Sequence, residues 1–342
     1  MHNGIRGVLG IMNKFVVYGG NSTKDLTQRV CETLKCEQGS CTLSTFSDGE
    51  IKIKIHQSVR DKCVFVIQSI TSYKDKSVND MLMELYLFIR TLKRASAAKV
   101  IVIIPYFGYS RQDRKTEPRV PISASDIAMM LETAGADRIV AFELHCGQIQ
   151  GFFRSIPCDN IYSSCLFAEH FVMNQSHDNL VVVSPDAGGV TRAKLFKEKL
   201  ASVGVSSGFA IIVKERSVLG AINNMSLVGD VKDKNVVIVD DICDTGGTLI
   251  KAIEQLKEFG AKHIYACITH PVFSCDAIEK IEKSPIDKMF VCDTIELKRT
   301  CSKITTVHTH KLLSTVVDIF VSGGSINELF KNPNIPDKLN NV

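Results

Sequence analysis

The stretch Val236-Val237-Ile238-Val239-Asp240-Asp241-Ile242-Cys243-Asp244-Thr245-Gly246-Gly247-Thr248 decides the reading of this chain. Four consecutive β-branched residues describe a strand buried on both faces, as in a parallel sheet covered by helices. The strand delivers two carboxylates to its C-terminal end, where ligands bind in open α/β sheets. The next turn sets two glycines between hydroxyl residues and opens into a helix. Glycine lets the main chain approach a ligand closely, and a helix N-terminus offers unpaired N–H groups and a positive dipole end.

Such a turn suits a phosphate monoester. Phosphate repels carboxylates, so Asp240 and Asp241 are expected to face sugar hydroxyls, directly or through Mg²⁺. A phosphate at one end and vicinal hydroxyls at the other describe ribose 5-phosphate.

The same strand pattern recurs outward from this segment. Phe15–Tyr18, Val64–Ile67, Val100–Ile104, Ile139–Phe142, Val181–Val183 and Ile264–Ile268 all read as buried strands. Amphipathic stretches lie between them. Met81, Leu85, Phe88 and Leu92 share one helical face. Leu249, Ile253 and Leu256 share another, with Gly260 ending that helix. Phe196, Leu200 and Val203 form a third stripe, stopped by Gly204. Ser123 with Asp126 is expected to cap the helix carrying Ile127, Met130 and Leu131. Strand–helix alternation of this kind argues for doubly wound α/β domains.

One internal echo stands out. Ala134 to His145 aligns with Phe259 to His270 as helix end, glycine stop, strand and histidine. The span from the preceding strand to the glycine is 34 positions in the first copy (Ile101 to Gly135) and 24 in the second (Val236 to Gly260). Two copies of one α/β unit, the first with an enlarged loop, is the simplest reading. Their join is expected near residues 155–165.

With 342 residues the chain has room for two domains. A net charge of +4, with no basic run, gives no reason to invoke nucleic acid. No apolar stretch approaches a membrane span. Residues 1–13 read as an extension. The twelve cysteines are scattered, without C-x-x-C spacing, and read as reduced thiols of a cytoplasmic protein.

The Asp240–Thr248 segment is similar to the phosphoribosyl diphosphate (PRPP) motif of type I phosphoribosyltransferases and PRPP synthetases. Further segments resemble the synthetases: Arg111-Gln112-Asp113, Pro121–Ala124, Leu144-His145 with Gln148–Phe153, Ser184-Pro185-Asp186-Ala187-Gly188-Gly189, Lys214-Glu215-Arg216 and Val228–Val231. The resemblance covers about residues 14–330. It implies two tandem type I phosphoribosyltransferase-like domains with parallel sheets flanked by helices, at 14–160 and 161–311. Residues 312–342 then pack back on the N-terminal domain.

The activity implied is transfer of the β,γ-diphosphate of ATP to the 1-hydroxyl of ribose 5-phosphate. The alternatives are a non-catalytic regulatory relative and a phosphoribosyltransferase consuming PRPP.

The resemblance also assigns roles. Phe46, Asp48, Gly49 and Glu50, with Arg111, Gln112, Asp113 and His145, match ATP-binding positions. Read alone, Phe46 would be core. Asp240, Asp241, Asp244, Thr245, Gly246, Gly247, Thr248 and Arg216 match ribose 5-phosphate positions. His145 and Asp186 match the Mg²⁺ site. Lys214 and Arg216 look like the catalytic pair.

Ser58, Arg60, Arg119 and Ser325 match positions for the activator inorganic phosphate and the inhibitor ADP. Asn327 in place of a serine, and a longer 71–78 segment, depart from the family there. Glu143 stands where the family usually has Asp, and Ser217–Asn224 lacks the family's basic residues. The implied partner is another copy of the chain, in a hexamer of dimers.

Overall fold

The computed structural model describes residues 15–214 and 225–327, together with Leu329. Lys214 and Met225 are described by their main chain alone, and Arg216 lies outside the described residues. The described residues divide into two compact units. One takes those within Met1–Tyr162, Thr294–Glu296 and Thr309–Glu328; the other takes those within Ser163–Asp293, Leu297–His308 and Leu329–Val342.

The first unit holds β1 (Phe15–Gly19), α1 (Lys24–Leu34), β2 (Cys41–Thr45), β3 (Ile51–Ile55), β4 (Cys63–Ile67), α2 (Val78–Arg94), β5 (Lys99–Ile104), α3 (Ser123–Ala134), β6 (Arg138–Phe142) and β7 (Cys158–Ile161), with α8 (His310–Ser322) added from the C-terminal region. Its five-stranded sheet runs β1-β4-β5-β6-β7, all parallel and in chain order. One face packs Val64, Val66, Val100, Val102 and Ile104 against Leu85, Phe88 and Leu92 of α2 and Ala128 and Leu131 of α3. On the other face Phe65 meets Phe320 of α8 at 6.5 Å. Helix α8 also packs on α1, where the Ser314 hydroxyl donates to the Val30 carbonyl at 3.2 Å. Burial on both faces is why these strands read as unbroken apolar runs.

The second unit holds α4 (Ser164–Asn174), β8 (Leu180–Ser184), α5 (Val190–Ser202), β9 (Gly208–Lys214), β10 (Met225–Val228), β11 (Asn235–Cys243), α6 (Gly247–Glu258), β12 (His263–Pro271), α7 (Ala277–Lys283), β13 (Lys288–Cys292) and β14 (Ile304–Val307). The sheet order is β10-β9-β8-β11-β12-β13-β14. Every pair is parallel except β9–β10, which is antiparallel. Leu249, Ile253 and Leu256 of α6 pack on one face with Val236, Ile238, Ile264 and Ala266. Phe171 of α4 sits on the other, edge-on to Tyr265 at 5.4 Å and to Phe290 at 6.1 Å.

The internal echo is visible as β5–α3–β6 and β11–α6–β12. In both, the helix is followed by a left-handed glycine, Gly135 at φ 99° and Gly260 at φ 84°, before the next parallel strand. The extra length of the first copy falls at 105–122, between β5 and α3.

One local expectation is corrected. Ser123 does not cap α3: it is the first helical residue, and the N-cap is Ile122, whose side chain makes no cap bond. The Ser123 hydroxyl instead donates to Gln112 Oε1 at 2.5 Å, pinning the Arg111–Asp113 loop to the helix. The antiparallel β9–β10 pair and β2–β3 hairpin also qualify the expectation of purely parallel sheets.

Candidate active site

In the second unit the chain leaves β8 to form β9 on one side and later returns to form β11 on the other. The carboxyl ends of β8 and β11 therefore flank a topological switch point, the usual ligand crevice of an open α/β sheet. Strand β8 pairs with β11 only as far as Ile238. Strand β11 runs on beside β12 to Cys243, so Asp240 and Asp241 project past the end of their other neighbour. Asp186 enters the same crevice just after β8.

The turn after β11 is held from behind. The main-chain N–H groups of Phe273 and Ser274 donate to the Cys243 and Asp244 carbonyls at 3.0 and 3.1 Å. Lys280 Nζ donates to the Thr245 carbonyl at 3.4 Å. Gly246, at φ 76° and ψ −10°, is the N-cap of α6, so the cap residue itself brings no side chain to this helix end. A glycine cap leaves the first-turn amides open to close approach by an anion. A Cβ at Gly246 would meet Ala277 at 3.7 Å, an ordinary contact. Gly246→Ala should therefore cost only left-handed backbone strain, about 1–2 kcal/mol. A fall in the midpoint of thermal denaturation checks this.

The two acids are not alone. Arg192, in the first turn of α5, places Nη1 3.2 Å from Asp240 Oδ1 and 3.2 Å from Asp241 Oδ1. Its side chain is 11% exposed, against 24% for Asp240 and 5% for Asp241. Burial pushes the Asp240 carboxyl well above the usual carboxylate range. The Asp241 charge pushes the same way, Arg192 pulls it back down, and Asp186 adds a further upward push. One guanidinium thus lets two adjoining acids stay close together.

Sequence reading missed Arg192. The available signal was its position: a cation in the first turn of a helix opposes the helix dipole, so acids must sit near it.

Asp186 is fixed before any ligand arrives. Its Oδ1 accepts from the amides of Gly188 and Gly189 at 2.9 and 3.0 Å. Among the described residues no group of three or more His, Cys, Asp or Glu is arranged to hold a metal ion. Mg²⁺ does not need such a cage. It takes hard oxygen ligands and keeps waters and substrate phosphates, so a preset Asp186 beside two further carboxylates fits it.

The first unit carries the other candidates. Phe46–Glu50 is the tip of the β2–β3 hairpin. Gly49 N donates to the Phe46 carbonyl at 3.0 Å and Phe46 N to the Glu50 carbonyl at 2.8 Å, with Gly49 at φ 98°. That is a three-residue loop closed by a left-handed glycine. Phe46 is 50% exposed, so the core reading of this residue is overturned. Lys52 Nζ lies over its ring at 5.1 Å, and Asp48 Oδ1 accepts from Glu50 N at 3.1 Å.

Arg111, Gln112 and Asp113 follow β5, and His145 follows β6, the neighbouring strand. The Cys146 thiol, next to His145, donates to Gln148 Oε1 at 3.0 Å. Burial first, and then nearby Asp113, push its pKa up, so the Arg111–Asp113 and His145 loops lie close together. Glu143 makes the bend before His145: it is buried and left-handed at φ 48°, and its N–H donates to the Ile161 carbonyl at 2.7 Å.

The remaining candidates are dispersed over the first unit. Ser58 Oγ accepts from Arg60 N at 3.5 Å, and Arg60 bridges to Ala97. Arg119 is left-handed at φ 65° in the loop before α3. Ser325 Oγ accepts from Asn327 N at 3.3 Å, beyond α8. In the second unit Lys214 ends β9, paired with Met225 on β10.

Comparison with known proteins bears on this arrangement. A family model described as "N-terminal domain of ribose phosphate pyrophosphokinase" matches residues 15–135. A second, "Phosphoribosyl synthetase-associated domain", matches residues 210–331. The chain is 42% identical over 319 residues to a ribose-phosphate pyrophosphokinase of Wolinella succinogenes, covering 93% of this chain and 100% of that one. It is 44% identical to one of Ralstonia nicotianae, covering 92% and 98%. The crystal structure of phosphoribosylpyrophosphate synthetase from Mycobacterium smegmatis superposes with a TM-score of 0.83 at 34% identity, over 91% of this chain and 100% of that one. With both of its units matched and its length covered almost end to end, the chain belongs to the ribose-phosphate pyrophosphokinase family.

Proposed function

We propose that this chain transfers the β,γ-diphosphate of ATP to the anomeric hydroxyl of ribose 5-phosphate, giving PRPP and AMP. The observation that carries the reading is the glycine-capped start of α6 lying directly after two carboxylates at a switch point. The amides of Thr245–Thr248 hold the 5-phosphate, while Asp244 lines the turn. Asp240 and Asp241 accept hydrogen bonds from the 2′ and 3′ hydroxyls of the ribose, and Arg192 holds the two acids in register. With the sugar so clamped, its anomeric oxygen is left free to act as the nucleophile.

That oxygen attacks the β-phosphorus. A new bond forms from it to phosphorus as its proton is lost to solvent, the bond to the α-phosphate bridging oxygen breaks, and AMP departs with that oxygen. Little covalent chemistry is asked of the protein, so positioning and charge neutralisation supply most of the rate. Lys214 and Arg216 neutralise the oxygens of the moving group. Asp186 would hold Mg²⁺, which would supply additional neutralisation of the polyphosphate; His145 is the other residue that the family resemblance proposes for the metal.

Phe46 stacks on the adenine, Asp48 and Glu50 accept from the nucleoside, and Gly49 shapes their turn. Arg111, with Gln112 and Asp113, grips the polyphosphate. Assembly into a homo-oligomer brings nucleotide contacts from two copies together. Ser58, Arg60, Arg119 and Ser325 take part in control by phosphate or ADP, and the protein acts in the cytoplasm.

The test is AMP release from ATP, ribose 5-phosphate and Mg²⁺. Strict dependence on both substrates is expected. No AMP under any of these conditions would favour a non-catalytic regulatory subunit instead.

A further inference from the structure

We propose that Cys31 and Cys36 form an oxidative modification site, at which a peroxide links the two sulfurs in a reversible disulfide. The placement follows from how α1 ends. The helix stops at Leu34, and Lys35 turns left-handed at φ 53° and ψ 39°. Cys36 N then donates to the Cys31 carbonyl at 3.0 Å, and Lys35 N to the Glu32 carbonyl at 3.1 Å. This nested pair of bonds is a Schellman motif, which brings the side chains just before and just after the helix end into contact. In most proteins that contact is apolar; here both partners are cysteines. The main-chain bond keeps their backbones close, as a disulfide's Cα separation of roughly 4.4–6.8 Å demands.

The two thiols are close enough to act on each other in opposite directions. The Cys36 thiol and then burial push the Cys31 pKa up. The Cys31 thiol holds the Cys36 pKa below the ordinary thiol value. Cys31 is buried at 4% exposure, whereas Cys36 is partly open to solvent. An accessible thiol with a lowered pKa beside a second cysteine is the arrangement of a reactive cysteine with a resolving partner.

The chemistry balances. The Cys36 thiolate attacks one peroxide oxygen, the O–O bond breaks, and after proton uptake one water leaves with Cys36 as a sulfenic acid. The Cys31 sulfur then attacks the Cys36 sulfur. The S–S bond forms, and the sulfenic hydroxyl leaves as a second water with the proton of Cys31. Two electrons pass from the sulfurs to the peroxide, and a small thiol reopens the bond by exchange. Because Cys31 captures the sulfenic acid, Cys36 is kept from the irreversible sulfinic state.

The experiment treats the full-length chain with hydrogen peroxide, alkylates the remaining thiols, and maps disulfides by tandem mass spectrometry. Exposed Cys275 reports that oxidant reached the protein. The expected result is a Cys31–Cys36 crosslink that forms in wild type and in Cys41→Ser, and that dithiothreitol reverses. In Cys31→Ser, Cys36 should pass to a sulfinic acid that dithiothreitol does not recover. Since Cys31 belongs to the core, Cys36→Ser is the second variant: its Cys31 should stay fully alkylatable, after unfolding, at peroxide doses that crosslink wild type. The proposal is overturned if both thiols remain alkylated while Cys275 is oxidised, if Cys36 is found linked elsewhere, or if Cys31 oxidises as fast without Cys36.

Discussion

Replacing Lys214 with alanine is expected to slow AMP release by roughly 10²–10³-fold, the usual cost of removing one donor aimed at developing charge. Lys214 is the last residue of β9, the strand beside β8 in the sheet that carries Asp186 and Asp240. The ribose 5-phosphate contacts come from other elements, β11 and the start of α6. The substitution should therefore leave ribose 5-phosphate binding nearly unchanged and fall on kcat. A loss confined to the transition state lowers kcat and kcat/KM together. Steady-state kinetics with each substrate varied, plus direct ribose 5-phosphate titration, makes the comparison. A normal rate removes Lys214 from the mechanism, and a lost sugar affinity reassigns it to substrate binding.

Asp240→Asn is expected to separate binding from stability. Losing a charge-assisted hydrogen bond to the ribose costs about 1.5–3 kcal/mol, or roughly 10- to 150-fold in ribose 5-phosphate affinity. Folding should not suffer. The Asp240 carboxyl is held well above its ordinary value of 3.8 by burial and by Asp241, so the folded state disfavours its ionised form. With a raised carboxyl pKa, the folded state binds more protons than the unfolded chain between the two values. Stability therefore falls as pH rises from 3.8 through the folded value. A neutral amide at this position would carry no such penalty, and Arg192 keeps Asp241 as its partner at 3.2 Å. The variant should be at least as heat-stable as wild type at neutral pH, with the gap closing as pH is lowered toward 3.8. A clear drop in the denaturation midpoint at neutral pH would mean that the Arg192–Asp240 pair contributes net stability. Retained sugar affinity would place the ribose elsewhere.

Such a trade is common where a site concentrates like charges: function keeps a group that folding alone would discard. Arg192 limits the cost by pairing with both acids at once.

Local signals in the sequence determined a good deal. Every apolar run singled out as a strand is one, because a strand covered on both faces leaves a mark in consecutive residues. The stripe at Met81, Leu85, Phe88 and Leu92 lies within α2, and the glycines after α3 and α6 are left-handed as their positions suggest. The Asp240–Thr248 turn was legible for the same reason, since strand, acids, glycines and helix entry are contiguous. Only the tertiary structure decided the rest. Strand order puts β8 between β9 and β11 and so creates the crevice; that order depends on pairings between distant segments, which no local pattern encodes. Arg192 reaches Asp240 across 48 positions of sequence, and the Ser123 hydroxyl is drawn from its own helix to Gln112. Chain neighbours write periodicity into a sequence, but partners that meet through folding leave no spacing to read.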